Sequence, residues 1–440
     1  MRKTLDTEQA IAVIENFESL PLEKRTAIFR DLSPQAREEL VGAVSHPVDI
    51  VQRISPEEIF FTIKELHEDA PNLIAHTSGK QLLYFLDIDM WKKEVFDLNA
   101  TGRWFRLLAD AGDDKILQHV RVTEPHLLVT AMSHFIRVAI RNPDVDLLEQ
   151  RDELPPFTLD DLFFIDFLSP EHEDIIRKYL DVIFRWNTRM YFSLMEEIAR
   201  GIHLENEDAA LHWRRARMFD HGFPEFDEAL EIYAYLARNV VTAPTIESSA
   251  QDSIISGPQS PVIDYPVKIL DPDNFFRQCL AELQEPTELD RISTELAHLA
   301  NKVMIADGRD PGAMEDLRNS LAKVSGYINI ALEDLCADDI SKASGLLRQN
   351  HMEILFRRGF SLILDLRKDI QTLLRNYDGG VENLGHPLAG LVEGLIKKRP
   401  VYADNIQGLP KPREFASIQD IRVIRELMDA GTIEDKWEPI

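Results

Sequence analysis

A chain of 440 residues that is 44% hydrophobic and 28% charged is long enough for two or three folded domains and has the composition of a globular protein, which excludes disorder as the default. Its 49 basic and 76 acidic side chains leave a formal charge of -27, a field that repels phosphate backbones, so nucleic acid is not an expected partner. Residues 1–19 lack the apolar core of an export signal, and the apolar run 127–140 is broken by Ser133, His134 and Arg137, too short for a membrane span. Cys279 and Cys336 stand far apart without a zinc or disulfide pattern, so a reducing cytoplasm is the expected compartment.

The N-terminal third reads as stacked helices. Ser33, Ser55, Thr77, Thr101 and Thr123 each open an apolar stretch at intervals of about 22 residues, the signature of a helical repeat. Counting onward, Val41, Ile63, Phe85, Ala109 and Ala131 share one core-facing slot. Ser55 is a natural cap, Pro56 suits the first helical position, Glu58 can close a capping box, and Ile59, Phe60, Ile63 and Leu66 make one stripe. Ser33-Pro34 begins a similar helix, and the short apolar stretches 48–54 and 71–75 suit a second helix in each unit. Pairs this short bury little alone and must stack, so residues 1–150 are expected to form a solenoid-like array. No sustained period-two alternation flanked by hairpin turns is present, and the whole chain is expected to be all-α.

Asn142-Pro143 and Leu154-Pro155-Pro156 interrupt this pattern. Helices are expected to resume at Thr158, with Asp161 closing a capping box, and again at Ser169-Pro170, carrying Ile175, Ile176, Leu180 and Ile183. Residues 151–240 then form a helical middle subdomain, in which Gly222-Phe223-Pro224 precedes a helix presenting Phe226, Ala229, Leu230 and Tyr233 on one face. Residues 241–273, dense in Pro and Ser, read as a linker or long loop. Residues 274–400 make a C-terminal helical bundle, with helices over 292–305 and 351–374, and residues 401–440 a tail with a short helix over 418–428.

No P-loop, dinucleotide fingerprint, serine-hydrolase elbow or H-E-x-x-H motif occurs, and no cofactor is implied. Trp213-Arg214-Arg215-Ala216-Arg217 is the most concentrated basic spot. One ring with three guanidinium groups suits an anionic ligand or a carboxylate-rich partner, or else neutralises the protein's own acidic helices. Glu295 and His298 share a helix face in an E-x-x-H pair, the spacing of di-iron bundles, though no second copy exists. Asp307-Gly308-Arg309-Asp310 follows as an acidic loop able to offer oxygen ligands, or simply as a helix-ending turn. Glu295, His298, Asp307 and Asp310 are the one compact ligand set available for a divalent metal. The aspartates 87, 89, 97, 110, 113 and 114 together could attract a hydrated divalent ion, against the simpler expectation of solvated loop carboxylates, and Lys397-Lys398-Arg399 is expected to balance a helix C-terminus.

Four segments carry a resemblance: Leu86-Asp87-Ile88-Asp89-Met90-Trp91, the stretch from Arg214 to Tyr233, the stretch from Ala300 to Gly308, and Phe356-Arg357-Arg358-Gly359-Phe360. By these the chain resembles an uncharacterised bacterial family known only as a domain of unknown function, which implies no activity and carries over no catalytic residues. The Leu32-Ser33-Pro34 and Ile54-Ser55-Pro56 openings are also similar in style to the cytoplasmic helical superhelix of MgtE-type magnesium transporters. That likeness implies no transport, because the membrane domain is absent from the sequence. The reading that follows is a cytoplasmic protein-binding scaffold or regulatory protein, with Trp213, Arg214, Arg215 and Arg217 as the contact; the alternative is a divalent-metal enzyme or sensor.

Overall fold

A computed structural model of the chain describes residues 17–150, 153–201, 203–237, 265–270, 274–283, 285–375, 381, 388–403 and 412–430. Most of the expected linker, 241–264 and 271–273, and parts of the tail, 404–411 and 431–440, lie outside the described residues. The chain divides into two compact units, the first running to Asp220 and the second starting at His221.

In the first unit, α1 (Leu22–Asp31), α2 (Pro34–Ala43), α3 (Val48–Val51), α4 (Pro56–Glu65), α5 (Pro71–His76) and α6 (Gly79–Asp89) follow one another through tight turns. Ser33 and Ser55 cap α2 and α4 by accepting from Ala36 N and Glu58 N, and both helices start with Pro, as the sequence requires. The repeat then loses its phase. Thr77 ends α5 while Ser78 caps α6 through a reciprocal box with Gln81. Asp97 takes the cap of α7 (Leu98–Asp110) by accepting from Asn99 N and Ala100 N, which leaves Thr101 inside the helix. Thr123 ends α8 (Asp113–Val122) and precedes α9 (Pro125–Ser133). The segment is helical, but the equal-period solenoid expected for 1–150 gives way to helices of unequal length, with Ser78 and Asp97 capping in place of Thr77 and Thr101.

The all-α expectation is corrected to a mostly helical fold with small sheets. Strands β1 (Trp91–Lys92) and β2 (Val95–Phe96) form a short antiparallel hairpin between α6 and α7. After α9, β3 (Ile136–Ile140) pairs antiparallel with β5 (Phe163–Phe167), whose other edge takes β4 (Phe157–Thr158), with α10 (Leu147–Gln150) between β3 and β4. The helix start expected at Thr158 is thus a turn. Thr158 Oγ1 accepts from Asp160 N and Asp161 N, Asp160 Oδ1 accepts from Leu162 N and Phe163 N, and Asp161 takes φ +56°. These side chains offer the backbone a competing set of bonds that closes a hairpin. Strand β5, Phe-Phe-Ile-Asp-Phe, buries its first three residues and so lacks the alternation that would have announced it.

Helices α11 (Glu173–Trp186), α12 (Thr188–Arg200) and α13 (His203–Asp220) complete the unit. Ile176, Leu180 and Ile183 of α11 are buried, as their spacing predicts. An aromatic spine threads the core: Phe60 lies 5.9 Å from Phe85, which stacks on Trp104 at 5.8 Å, and Phe105 stacks on Tyr179 at 4.7 Å.

The second unit holds α14 (Phe226–Leu230), which tightens into a 3₁₀ turn over Glu231–Tyr233, then α15 (Tyr265–Ile269), α16 (Phe275–Ala281), α17 (Pro286–Asp307), α18 (Met314–Cys336), α19 (Ile340–Gln349), α20 (Met352–Arg375), α21 (Leu388–Leu395), the antiparallel pair β6 (Tyr402–Ala403) and β7 (Pro412–Arg413), and α22 (Ile418–Ala430). Long helices α17, α18 and α20 pack together around Tyr327, Phe356 and Phe360. Two glycines set how closely elements meet α18: a Cβ on Gly359 would sit 1.9 Å from Tyr327 O, and one on Gly326 2.3 Å from Phe415 O.

Burial of His119 in the first unit has a measurable consequence. Its ring is enclosed by Phe105 and Tyr179, and desolvation lowers its pKa from 6.5 to about 4. Between those values the unfolded chain binds a proton that the folded chain refuses, so this contribution is intact above about pH 6.5 and lost as pH falls toward 4. Urea titrations across that window should show His119 supplying up to about 3 kcal/mol of acid sensitivity. A His119→Gln variant should show a flatter stability profile than the parent; parallel profiles would contradict the assignment.

Candidate functional site

The Trp213–Arg217 segment lies on α13 of the first unit, and its arginines turn toward their own protein. Arg214 and Arg217 are three apart and share a helix face. Arg217 grips the buried Asp87 carboxylate at two points, Nε to Oδ2 at 2.6 Å and Nη2 to Oδ1 at 2.8 Å, and its Nη1 pairs with Glu124 at the start of α9. Arg214 donates to Asp87 O at 2.7 Å and to Lys93 O at 3.1 Å, and its guanidinium lies 5.6 Å from the Trp91 ring centre. Arg215 reaches the exposed Glu94 in the turn of the β1–β2 hairpin. Burial pushes the Asp87 carboxyl up from its usual range against the pull of Arg217 and Arg214, and burial lowers Arg214 to about 10.

The arginines therefore bolt α13 to the end of α6 and to the hairpin. On the outside of these braced elements three large apolar side chains face solvent: Trp213 is 50% exposed, Phe219 55% and Val95 69%. Large exposed apolar side chains on braced elements suit protein docking more than capture of a small anion, because the guanidinium groups already have carboxylate and carbonyl partners.

The four residues expected as a metal set are not brought together. Glu295 and Asp307 lie twelve residues apart on α17, about 18 Å along the axis, too far to share one ion. Glu295 accepts from Arg291 at 2.7 Å, from Met352 N at 2.8 Å and contacts His351 Nδ1 at 3.1 Å, holding the start of α20. His298 packs on Gly222, whose φ of +78° and bare Cα admit the ring: a Cβ there would lie 2.8 Å from two ring carbons. Asp310 closes a turn, accepting from Gly312 N at 2.9 Å. Among the described residues no group of three His, Cys, Asp or Glu side chains is placed to hold a metal. The ligand set drawn from the sequence is corrected accordingly.

Asp307 instead centres a buried charge network that spacing gave no means of finding. It accepts from Lys323 Nζ at 2.8 Å, Arg399 Nη1 at 2.5 Å and Tyr233 OH at 2.8 Å, and Lys323 and Arg309 reach on to Glu414 at 3.1 and 3.3 Å. Arg399 therefore ties the segment after α21 to α17 through a side-chain bond, a larger role than balancing a helix end. Desolvation and the nearby Asp307 push the Tyr233 hydroxyl far above its ordinary value. With two acids against three cations, every member of the cluster has a partner inside it.

A model of a family of unknown function, DUF6178, matches residues 14–436. The chain belongs to that family. Membership bears out the resemblance to a domain of unknown function and, like it, supplies no reaction. The likeness to the MgtE superhelix finds no support, in keeping with the lost repeat phase. No curated protein and no solved structure matches the chain.

For this family member the bracing of α13 can be checked directly. Arg217→Ala leaves the buried Asp87 without its bidentate partner and should lower unfolding free energy by about 3–5 kcal/mol. Arg215→Ala, in an exposed pair, should change it by under about 1 kcal/mol. Equal effects in urea denaturation would refute the division between a structural and a marginal arginine.

Proposed function

We propose that the chain is a protein-binding module, a scaffold or regulatory component, whose contact surface is the solvent side of α13 together with the β1–β2 hairpin. The observation that carries this reading is the exposure of Trp213, Phe219 and Val95 on elements already fixed by the Asp87 ion pairs. Large rigid side chains on a preorganised frame lose little conformational freedom on association, which is why aromatic residues anchor interfaces. In this reading Trp213 and Phe219 are the anchors, Arg215 is a rim charge, and Arg214 and Arg217 position the helix. The expected partner offers an apolar recess and a neutral or basic rim, since a strongly acidic partner meets the field of a chain carrying -27.

The cytoplasmic reading belongs with this proposal and is supported by two buried free thiols, Cys279 and Cys336. Among the described residues no helix is long and apolar enough to cross a membrane.

The test is a double variant, Trp213→Ala with Phe219→Ala, compared with the parent in capture from an extract of the source cells. Melting temperatures should agree closely, because both side chains are half-exposed. Proteins retained by the parent should be lost with the variant, and hydrogen exchange in the bound complex should slow over 212–220. Retention of the same proteins by both, or protection elsewhere, overturns the assignment.

A further inference from the structure

The first unit contains a cleft of about 420 Å³ whose wall includes His76, Thr77, Asp114, Lys115, Gln118 and Arg121. Lys115 is its unusual member. The side chain is only 3% exposed, yet among the described residues no carboxylate lies within ion-pair distance of its nitrogen. Nζ donates to Thr77 O at 2.9 Å and to Gln118 Oε1 at 2.5 Å, both on the cleft wall. Lys115 also stands in the first turn of α8, where the helix dipole presents its positive end and disfavours a cation. Desolvation takes its pKa down to about 7, so that near neutrality much of it is free amine.

A neutral amine has two hydrogens, and here two acceptors take them. A neutral amine with those two bonds made keeps a lone pair that no donor among the described residues engages, as an amine nucleophile needs, and Lys115 belongs to the wall of the open cleft. Arg121, on the same wall with its guanidinium 4.7 Å from the Trp186 ring centre, supplies a positive charge for an anionic group on an incoming molecule.

We propose that Lys115 binds small anionic aldehydes or ketones covalently in this cleft, as an imine. The nitrogen lone pair attacks the carbonyl carbon, the C–N bond forms as the π pair moves to oxygen, and both amine hydrogens end on that oxygen. Water then leaves as the C=N bond forms. One amine and one carbonyl become one imine and one water, with no oxidant or reductant involved. This goes beyond the docking surface on α13 and stands on different residues.

The titratable groups on the cleft wall with Lys115 are His76 on α5 and Asp114 and Arg121 on its own helix; His119 is buried one turn on, and Lys178 and Arg185 of α11 pair with Asp113. The experiment uses the full chain, glyoxylate as the probe and cyanoborohydride to reduce any imine, with peptide mapping to locate the product. At pH 7 the free-amine fraction of Lys115 exceeds that of an ordinary lysine by about a thousandfold, and even with lower intrinsic nucleophilicity its labelling should outpace exposed Lys24 and Lys80 by at least about tenfold. The Lys115 rate should level off above about pH 8. Absence of label at Lys115, or labelling there no faster than at Lys24 and Lys80, overturns the proposal. Preferential labelling that is equal for glyoxylate and neutral acetaldehyde would remove Arg121 from it and overturn the anionic specificity.

Discussion

The first unit depends on one recurring interaction: a polar side chain from one helix satisfies the exposed backbone end of another. Short helices leave a large share of their N–H and C=O groups without intrahelical partners, and burying such ends unpaired is costly. Glu38 of α2 meets this need at the start of α5, accepting from Asn72 N and Leu73 N at 2.8 and 2.9 Å. Gln81 of α6 donates to Val51 O and Ile54 O at the end of α3, and Lys115 of α8 donates to Thr77 O at the end of α5. Arg37 joins α1, α2 and α4 by donating to Phe29 O, Arg30 O, Thr62 Oγ1 and Glu58. Four- and six-residue helices, unstable alone, become usable because their neighbours complete them.

Much of this architecture was legible in the sequence, and the failures have physical causes. Ser33-Pro34 and Ser55-Pro56 announce helices because the cap and the proline act within one turn, and the stripes over 292–305 and 351–374 announce long ones. The hairpin at Thr158 was misread because a Thr followed by an acidic residue three positions on has the grammar of a helix cap, while Asp160 bonds the next backbone amides into a turn. The regular period failed for a similar reason: Asp97 caps better than Thr101, and local bonding outranks spacing.

The candidate sites were less legible than the fold. Trp213 to Arg217 could be located as a charged cluster, but which way each arginine faced depended on Asp87, more than a hundred residues earlier. Glu295, His298, Asp307 and Asp310 are close in sequence and unrelated in role, since a helix separates its two ends and each side chain answers to different neighbours. Lys115 left one faint sign, a basic residue in the first turn of a helix, where the dipole favours acids. Its desolvation comes from tertiary packing and has no signature in composition. In a chain with so many carboxylates, the buried Asp87 and Asp307 work as anchors for cations, while Glu38 completes a helix end.

The two glycines on α18 and α20 impose a different kind of rule. At Gly326 and Gly359 the closest approach is to backbone oxygens, of Phe415 and Tyr327, and not to side chains. A contact between main chains cannot be traded for another by compensating changes in side-chain volume, since nothing on the opposing surface can shrink. A side chain at either position would have to push one main chain away from the other, Phe415 from α18 or α18 from α20. The closeness of these two contacts is therefore set by residues that contribute no atoms beyond the backbone.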